Sequence, residues 1–73
     1  MSSMMEIKIS KNLKMLMKGQ DLKQQELAEE IGISQSAISS WLSGKKEPSI
    51  ESLWKLADYF DVSIDELVGR KLY

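Results

Sequence analysis

The most chemically distinctive part of this 73-residue chain runs from position 24 to position 43 and is rich in amide and hydroxyl side chains. Both groups donate and accept hydrogen bonds, so they suit the recognition of polar partners rather than proton transfer. The chain has no histidine and no cysteine, it lacks a glycine-rich phosphate loop, and its carboxylates are scattered. We therefore expect no catalytic activity, no metal site and no cofactor.

Composition and charge favour one soluble globular domain, with 42% hydrophobic and 29% charged residues. No apolar run approaches the roughly 20 residues that span a bilayer, and without cysteine no oxidising compartment is needed. We expect a cytoplasmic protein without membrane contact. The net charge of −1 conceals an uneven distribution, since positions 1–23 carry five lysines against two acids and positions 43–46 carry two lysines and no acid. Such local positive charge is compatible with a nucleic-acid partner.

Helical periodicity and helix-end signals predict an all-α fold of five helices. A flexible tail is expected over 1–6, a folded domain over 7–69, and a second tail over 70–73. Serines precede the third, fourth and fifth helices as N-caps, and Ser63 with Glu66 forms a capping box. The predicted helices span about Ile7–Lys18, Gln24–Ile31, positions 35–43, Ile50–Phe60 and positions 64–68.

The second and third predicted helices are joined by only three residues, which include Gly32. That link is too short for the helices to lie antiparallel, so they must cross steeply in a helix-turn-helix. Glycine readily adopts the left-handed conformation that ends the first helix of the pair. The residues expected to hold the pair together are apolar, namely Leu27, Ile31, Ile33, Ile38 and Trp41.

The run QQELAEEIGISQSAISSWLSGKKEPSIESLWKLADYFDVSIDELVG, from Gln24 to Gly69, resembles the Cro/repressor-type helix-turn-helix family of bacterial and phage transcription regulators. The resemblance is specific because it includes the GKKEPS loop, the LWKLADYF helix and the VSIDELVG ending. It implies a five-helix, lambda-repressor-like domain that binds double-stranded DNA with its third helix in the major groove. The implied function is transcriptional regulation, with repression favoured, in a bacterial or phage-encoded protein that associates with the nucleoid.

The resemblance also implies roles for individual residues. Gln35 matches the family glutamine that pairs with adenine, and a carboxamide suits the N6 and N7 edge of that base. Ser36, Ser39 and Ser40 follow it as further base-reading candidates. The candidates for phosphate contact are Gln24, Ser34, Ser43, Lys45, Lys46 and Lys14.

Each of these residues also has a simpler interpretation. Gln35 and Gln24 can be ordinary polar residues of a first helical turn, and the serines can be solvent-exposed positions. The lysines of helix one, including Lys14, form either a solvated face or a phosphate-facing edge. Lys45 and Lys46 can be ordinary loop residues.

The sequence departs from the family pattern at three positions. Many members pair an arginine of helix one with a glutamate of helix three, whereas Met17 and Leu42 stand here, and we expect these two side chains to touch. Replacing both members of a buried ion pair by apolar residues can be neutral or stabilising. Lys23 occupies the N-cap position of helix two, although lysine accepts no hydrogen bond, so Asp21 or the end of helix one must compensate or the helix frays.

A regulator of this size is expected to act as a homodimer on a two-fold-related operator. The fifth helix and the tail are the predicted contact, unless these side chains pack internally. An antitoxin, a restriction-modification controller, or a protein-interaction module that has lost DNA binding are alternative functions of the same fold. The candidate dimer residues are Ile64, Leu67, Val68, Leu72 and Tyr73.

Overall fold

Five α-helices joined by short links make up residues 9–69, the part of the chain that the computed structural model describes. Within that range no strand occurs, so the all-α prediction is confirmed. The start predicted at Ile7, both predicted tails, and Leu72 and Tyr73 lie outside the described residues. The helices are α1 (Ile9–Gly19), α2 (Gln24–Ile31), α3 (Gln35–Ser43), α4 (Ile50–Phe60) and α5 (Ile64–Val68).

The helix starts confirm the predicted serine caps. The side chains of Ser34, Ser49 and Ser63 each accept a hydrogen bond from the backbone N–H three residues ahead, at 3.1, 3.2 and 3.0 Å. At α5 the Glu66 carboxylate completes the capping box by accepting from the Ser63 N–H at 2.9 Å. Each such cap stabilises a helix by about 1 kcal/mol. Local sequence therefore fixes where α3, α4 and α5 begin.

The start of α2 is built differently because its N-cap residue is Lys23. An ammonium group has no lone pair, so Lys23 cannot accept from the first-turn N–H groups. Glu26 supplies the other half of a capping box, since its carboxylate accepts from the Lys23 N–H at 2.8 Å. The compensation thus comes from Glu26, whereas the sequence predicts that it comes from Asp21 or the end of helix one, or that the helix frays. Asp21 lies instead in the left-handed conformation, with φ 53°, in the link before α2.

A single core joins all five helices, and its most deeply buried side chains are Leu13, Leu27, Ile38, Leu56 and Leu67, one from each helix. Complete burial of one such side chain contributes about 1.5–3 kcal/mol. Trp41, at 5% exposure, packs in the core as predicted, and Leu67, at 0%, packs internally rather than at the surface. The remaining residues of the core cluster are Ile9, Met17, Ala28, Leu42, Ala57 and Phe60.

Of the residues predicted to hold α2 and α3 together, Ile31 and Ile33 are only half-buried. Ile31 ends α2 and Ile33 lies in the link between the two helices, and a domain this small has too little interior to enclose every apolar side chain. Met17 and Leu42, by contrast, are exposed by only 6% and 8% and belong to the same core cluster. No charge is therefore buried where the family pattern has its ion pair.

Three side-chain hydrogen bonds tie α1 to the ends of α3 and α5. Ser10 Oγ donates to the carbonyl of Leu42 in α3 at 2.7 Å. Asn12 Nδ2 donates to two carbonyls of α5, that of Leu67 at 3.0 Å and that of Glu66 at 3.3 Å. These carbonyls lie in the last turns of their helices, where C=O groups have no hydrogen-bond partner within the helix. The Ser10 bond therefore ties α3 to α1, and the Asn12 bonds tie α5 to α1.

Candidate nucleic-acid interface

One face of α3 is available to a partner. Ile38, Trp41 and Leu42 bury the opposite face, whereas Ser36 and Ser39 are exposed at a spacing that places them on one side of the helix. Gln35 is exposed in the first turn, and Ser40 is half-buried at the flank of this face. The helix thus presents uncharged amide and hydroxyl groups to solvent, and all four predicted base-reading residues keep some exposure.

A groove of about 480 Å³ lies where α1, α2 and α3 meet. It brings together three predicted site residues from three different helices, Lys14, Gln24 and Gln35. Lys23 also lines it, and among the described residues none of its lining side chains is acidic. We call it the α1–α3 groove. Its two ammonium groups and its amides suit an anion such as a phosphate. The remaining lining residues are Met17, Leu22, Gln25 and Leu42.

The first turn of α2 contributes further to the electrostatics of this groove. A helix N-terminus carries partial positive charge and exposes N–H groups that attract anions. Gln24 and Gln25, the first two residues of α2, both line the groove. Because Lys23 offers no side-chain acceptor to this turn, the N–H groups of the turn can donate to an acceptor from outside the protein. From the sequence, Lys23 is interpreted only as a poor N-cap residue. Its position next to Gln24, a predicted phosphate contact, was the signal that could have placed it in the site.

A second pair of lysines lies beyond the other end of α3. Lys45 and Lys46 are exposed, while their backbone N–H groups donate to the Ser40 carbonyl at 3.0 and 3.3 Å. Gly44 permits this return by adopting the left-handed conformation, with φ 80°. The nine residues of α3 span about 13 Å at 1.5 Å each. The structure therefore does not place these two lysines in the α1–α3 groove, but sets positive charge at both ends of an uncharged helix.

The two serines predicted to contact phosphate differ in their hydrogen bonding. Ser34 Oγ accepts from the Ala37 N–H at 3.1 Å, so its own hydroxyl hydrogen remains free to donate. Ser43 Oγ donates to the Ser40 carbonyl at 3.1 Å. Ser43 must therefore rotate away from its own helix before it can donate to a phosphate oxygen, whereas Ser34 needs no such change.

The five helices coincide with a region of the sequence that matches a known protein family. A sequence model of the helix-turn-helix family matches residues 13–67. The chain belongs to the helix-turn-helix family. Within residues 9–69 the family domain has no helix long and apolar enough to cross a membrane. The same residues contain no group of three or more acidic, histidine or cysteine side chains that could hold a metal ion.

Several relatives of this helix-turn-helix domain carry regulatory names. The HTH-type transcriptional activator BcrR of Enterococcus faecalis is 42% identical over 63 residues, which are 86% of this chain and 31% of that protein. The cryptic phage CTXphi transcriptional repressor RstR of Vibrio cholerae is 41% identical over 64 residues, 88% of this chain and 57% of its own. The antitoxin PezA of Streptococcus pneumoniae is 38% identical over 62 residues, 85% of this chain and 39% of its own.

A solved structure supports the same fold. The crystal structure of a transcriptional regulator from Listeria innocua superposes with a TM-score of 0.86 at 37% identity, and the match covers 93% of this chain and 64% of that one. The chain therefore spans about a third of BcrR and less than two thirds of RstR, PezA and the Listeria protein.

Proposed function

We propose that this helix-turn-helix domain is a sequence-specific, double-stranded DNA-binding regulator of transcription that places α3 in the major groove. The observation that supports it most is the convergence of Lys14, Gln24 and Gln35 on one groove that carries two lysines. Exposed uncharged side chains follow along α3, and the Lys45–Lys46 pair lies beyond its other end. Cations can thus contact phosphates on either side of a helix that faces the base edges.

The site residues divide into two groups in this proposal. Gln35 reads adenine by a bidentate contact, and Ser36, Ser39 and Ser40 make weaker, less discriminating contacts to base edges. The second group sets the position of the domain on the duplex without specifying sequence. It consists of Gln24, Ser34, Ser43, Lys45, Lys46 and Lys14.

We favour repression over activation, because a domain that occupies an operator can block transcription without any further contact. The relatives BcrR and RstR are named activator and repressor respectively, so the family fold serves both outcomes. Similarity to the antitoxin PezA favours one alternative, an antitoxin of the same fold that would share the DNA interface. Neither function requires catalysis by this chain.

Dimerisation on a two-fold-related operator completes the proposal, because one module buries too little surface for useful specificity. The α5 region and the following segment are the proposed contact. Leu67 is fully buried and therefore cannot take part directly. Ile64 and Val68 remain half-buried and partly available.

Substitution of Gln35 tests the base-reading role. We first identify the preferred duplex by unbiased selection with the wild-type protein, and then compare variants on it. Gln35→Ala should lose about 1–3 kcal/mol of binding free energy and relax one base position. Gln20→Ala is the matched control, since Gln20 is exposed but does not line the α1–α3 groove.

Two outcomes would contradict the proposal at different levels. Unchanged affinity and base preference in Gln35→Ala would remove Gln35 from the recognition surface. Wild-type binding that does not depend on salt concentration and shows no sequence preference would contradict the DNA-binding function itself, because phosphate contacts produce a steep salt dependence.

A further inference from the structure

A second groove, of about 620 Å³, lies between the end of α4 and the start of α5. It shares no lining residue with the α1–α3 groove, and we call it the α4–α5 groove. Trp54, one of its lining residues, is 64% exposed, although tryptophan is usually among the more buried residues. Val62 and Ile64 add half-buried apolar surface. An exposed aromatic side chain beside such surface is typical of an interaction site.

The charge of this groove restricts what can occupy it. Three carboxylates line it, those of Asp58, Asp61 and Asp65, against the single cation of Lys55. The Lys55 ammonium lies 4.0 Å from the Glu51 carboxylate, which is not part of the lining, so its charge is partly balanced there. Two copies of the groove placed face to face would oppose like charges. The fitting occupant is a segment that carries cations together with an apolar side chain.

Such a segment exists in the same chain, immediately after α5. Positions 70–73 read Arg-Lys-Leu-Tyr, two cations followed by an aliphatic and an aromatic side chain. We propose that the α4–α5 groove of one copy binds Arg70–Tyr73 of a second copy, and that two copies exchange these segments reciprocally. This inference rests on the proposed homodimer and specifies its contact.

The direction of α5 favours a second copy over the same copy. The groove is lined by the beginning of α5, at Ile64 and Asp65, whereas the end of α5 is fastened to α1 through Asn12. Within one copy the chain would have to reverse after Gly69 to come back along α5. A tight reversal takes about four residues, so a turn begun at Gly69, which is left-handed with φ 77°, would use much of Arg70–Tyr73 before the chain reached the groove. Exchange with a two-fold partner creates two identical contacts.

A charge exchange between two variants tests the proposal. The groove variant D58K/D65K makes the groove positively charged, like the wild-type segment. The segment variant R70E/K71E makes the segment negatively charged, like the wild-type groove. Each variant alone should self-associate on the order of tenfold or more weakly, because like charges then oppose each other. In an equal mixture each groove meets a segment of opposite charge, so association should return as a heterodimer.

Sedimentation equilibrium without DNA gives the association constants, and circular dichroism establishes that each variant is folded. The control E29K/E30K changes net charge equally at exposed residues of α2 that do not line the groove, and should associate like the wild type. A monomeric wild type, or two weakened variants that the mixture does not restore, would overturn the proposal. A single-half-site duplex measures DNA binding separately, so loss of dimerisation and loss of the proposed function are distinguishable.

A fluorescence titration keeps the proposal testable if the groove variant fails to fold. The tetrapeptide Arg-Lys-Leu-Tyr is added to R70E/K71E, whose groove should be vacant. Binding should shift Trp54 emission to shorter wavelength, while Trp41, only 5% exposed, provides a constant background. The shift should vanish in W54F and with the peptide Glu-Glu-Leu-Tyr. An equal shift with both peptides, or none with either, would contradict the assignment.

Discussion

Lys23 offers the sharpest test of how the α1–α3 groove works, because one substitution should move stability and affinity in opposite directions. In Lys23→Ser the new hydroxyl can accept from the first turn of α2, as Ser34, Ser49 and Ser63 do for their helices at 3.0–3.2 Å. A gained cap stabilises by about 1 kcal/mol. In a domain of this size that raises Tm by about 4–8 °C.

The same substitution removes one of the two ammonium groups of the groove. If Lys23 contacts a phosphate, the slope of log K against log salt should become shallower by about 0.9. At 0.15 M salt, release of one counterion corresponds to about a fivefold change in affinity. Fluorescence anisotropy on the selected duplex, at several salt concentrations, gives both the slope and the affinity.

Two further variants separate the effect of the N-cap on stability from the effect of the charge on DNA binding. Lys23→Ala removes the cation without supplying an acceptor. Its salt slope should therefore become shallower by the same amount as in Lys23→Ser, and its Tm should not rise. Lys11→Ala alters net charge equally at an exposed residue of α1 that does not line the groove, and should leave the slope unchanged. An unaltered slope in Lys23→Ser would refute phosphate binding at Lys23, and an unaltered Tm would refute the argument about the cap.

Two further predictions concern the core and the loop. Met17→Arg should destabilise by about 3–5 kcal/mol, because it buries an unpaired charge, and adding Leu42→Glu should recover much of that loss in denaturant unfolding. A double variant no more stable than Met17→Arg would show that the two side chains do not meet. Lys46→Ala should weaken binding to all duplexes alike and reduce the salt slope by about 1. A sequence-dependent loss would instead place Lys46 among the base contacts, with Gln35.

Local signals were sufficient to predict the helices within the described residues. The bounds of α2 and α4 follow from apolar spacing, and the serine caps and Gly32 fix individual ends. These features involve residues at most a few positions apart, so sequence spacing determines them directly. The steep crossing of α2 and α3 follows from the length of the link between them.

Contacts between distant segments could not be predicted in the same way. Ser10 and Asn12 bond to carbonyls 32 and 55 positions away, and nothing in their neighbours indicates those partners. The placement of Lys23 in the α1–α3 groove likewise depends on how α1 packs on α3. Trp54 gave a partial signal, since it lies beside the stripe of Leu53, Leu56, Ala57 and Phe60 rather than within it.

The bond from Asn12 to the end of α5 has a consequence for the order in which the domain opens. A helix of five residues cannot persist alone in water, so α5 stays folded only while it remains docked on α1 and α4. Hydrogen exchange at the amides of α5 should therefore report its undocking from α1 and α4 rather than fraying of its ends alone. Asn12→Ala should accelerate exchange across α1 and α5 together and leave α2 and α3 slower.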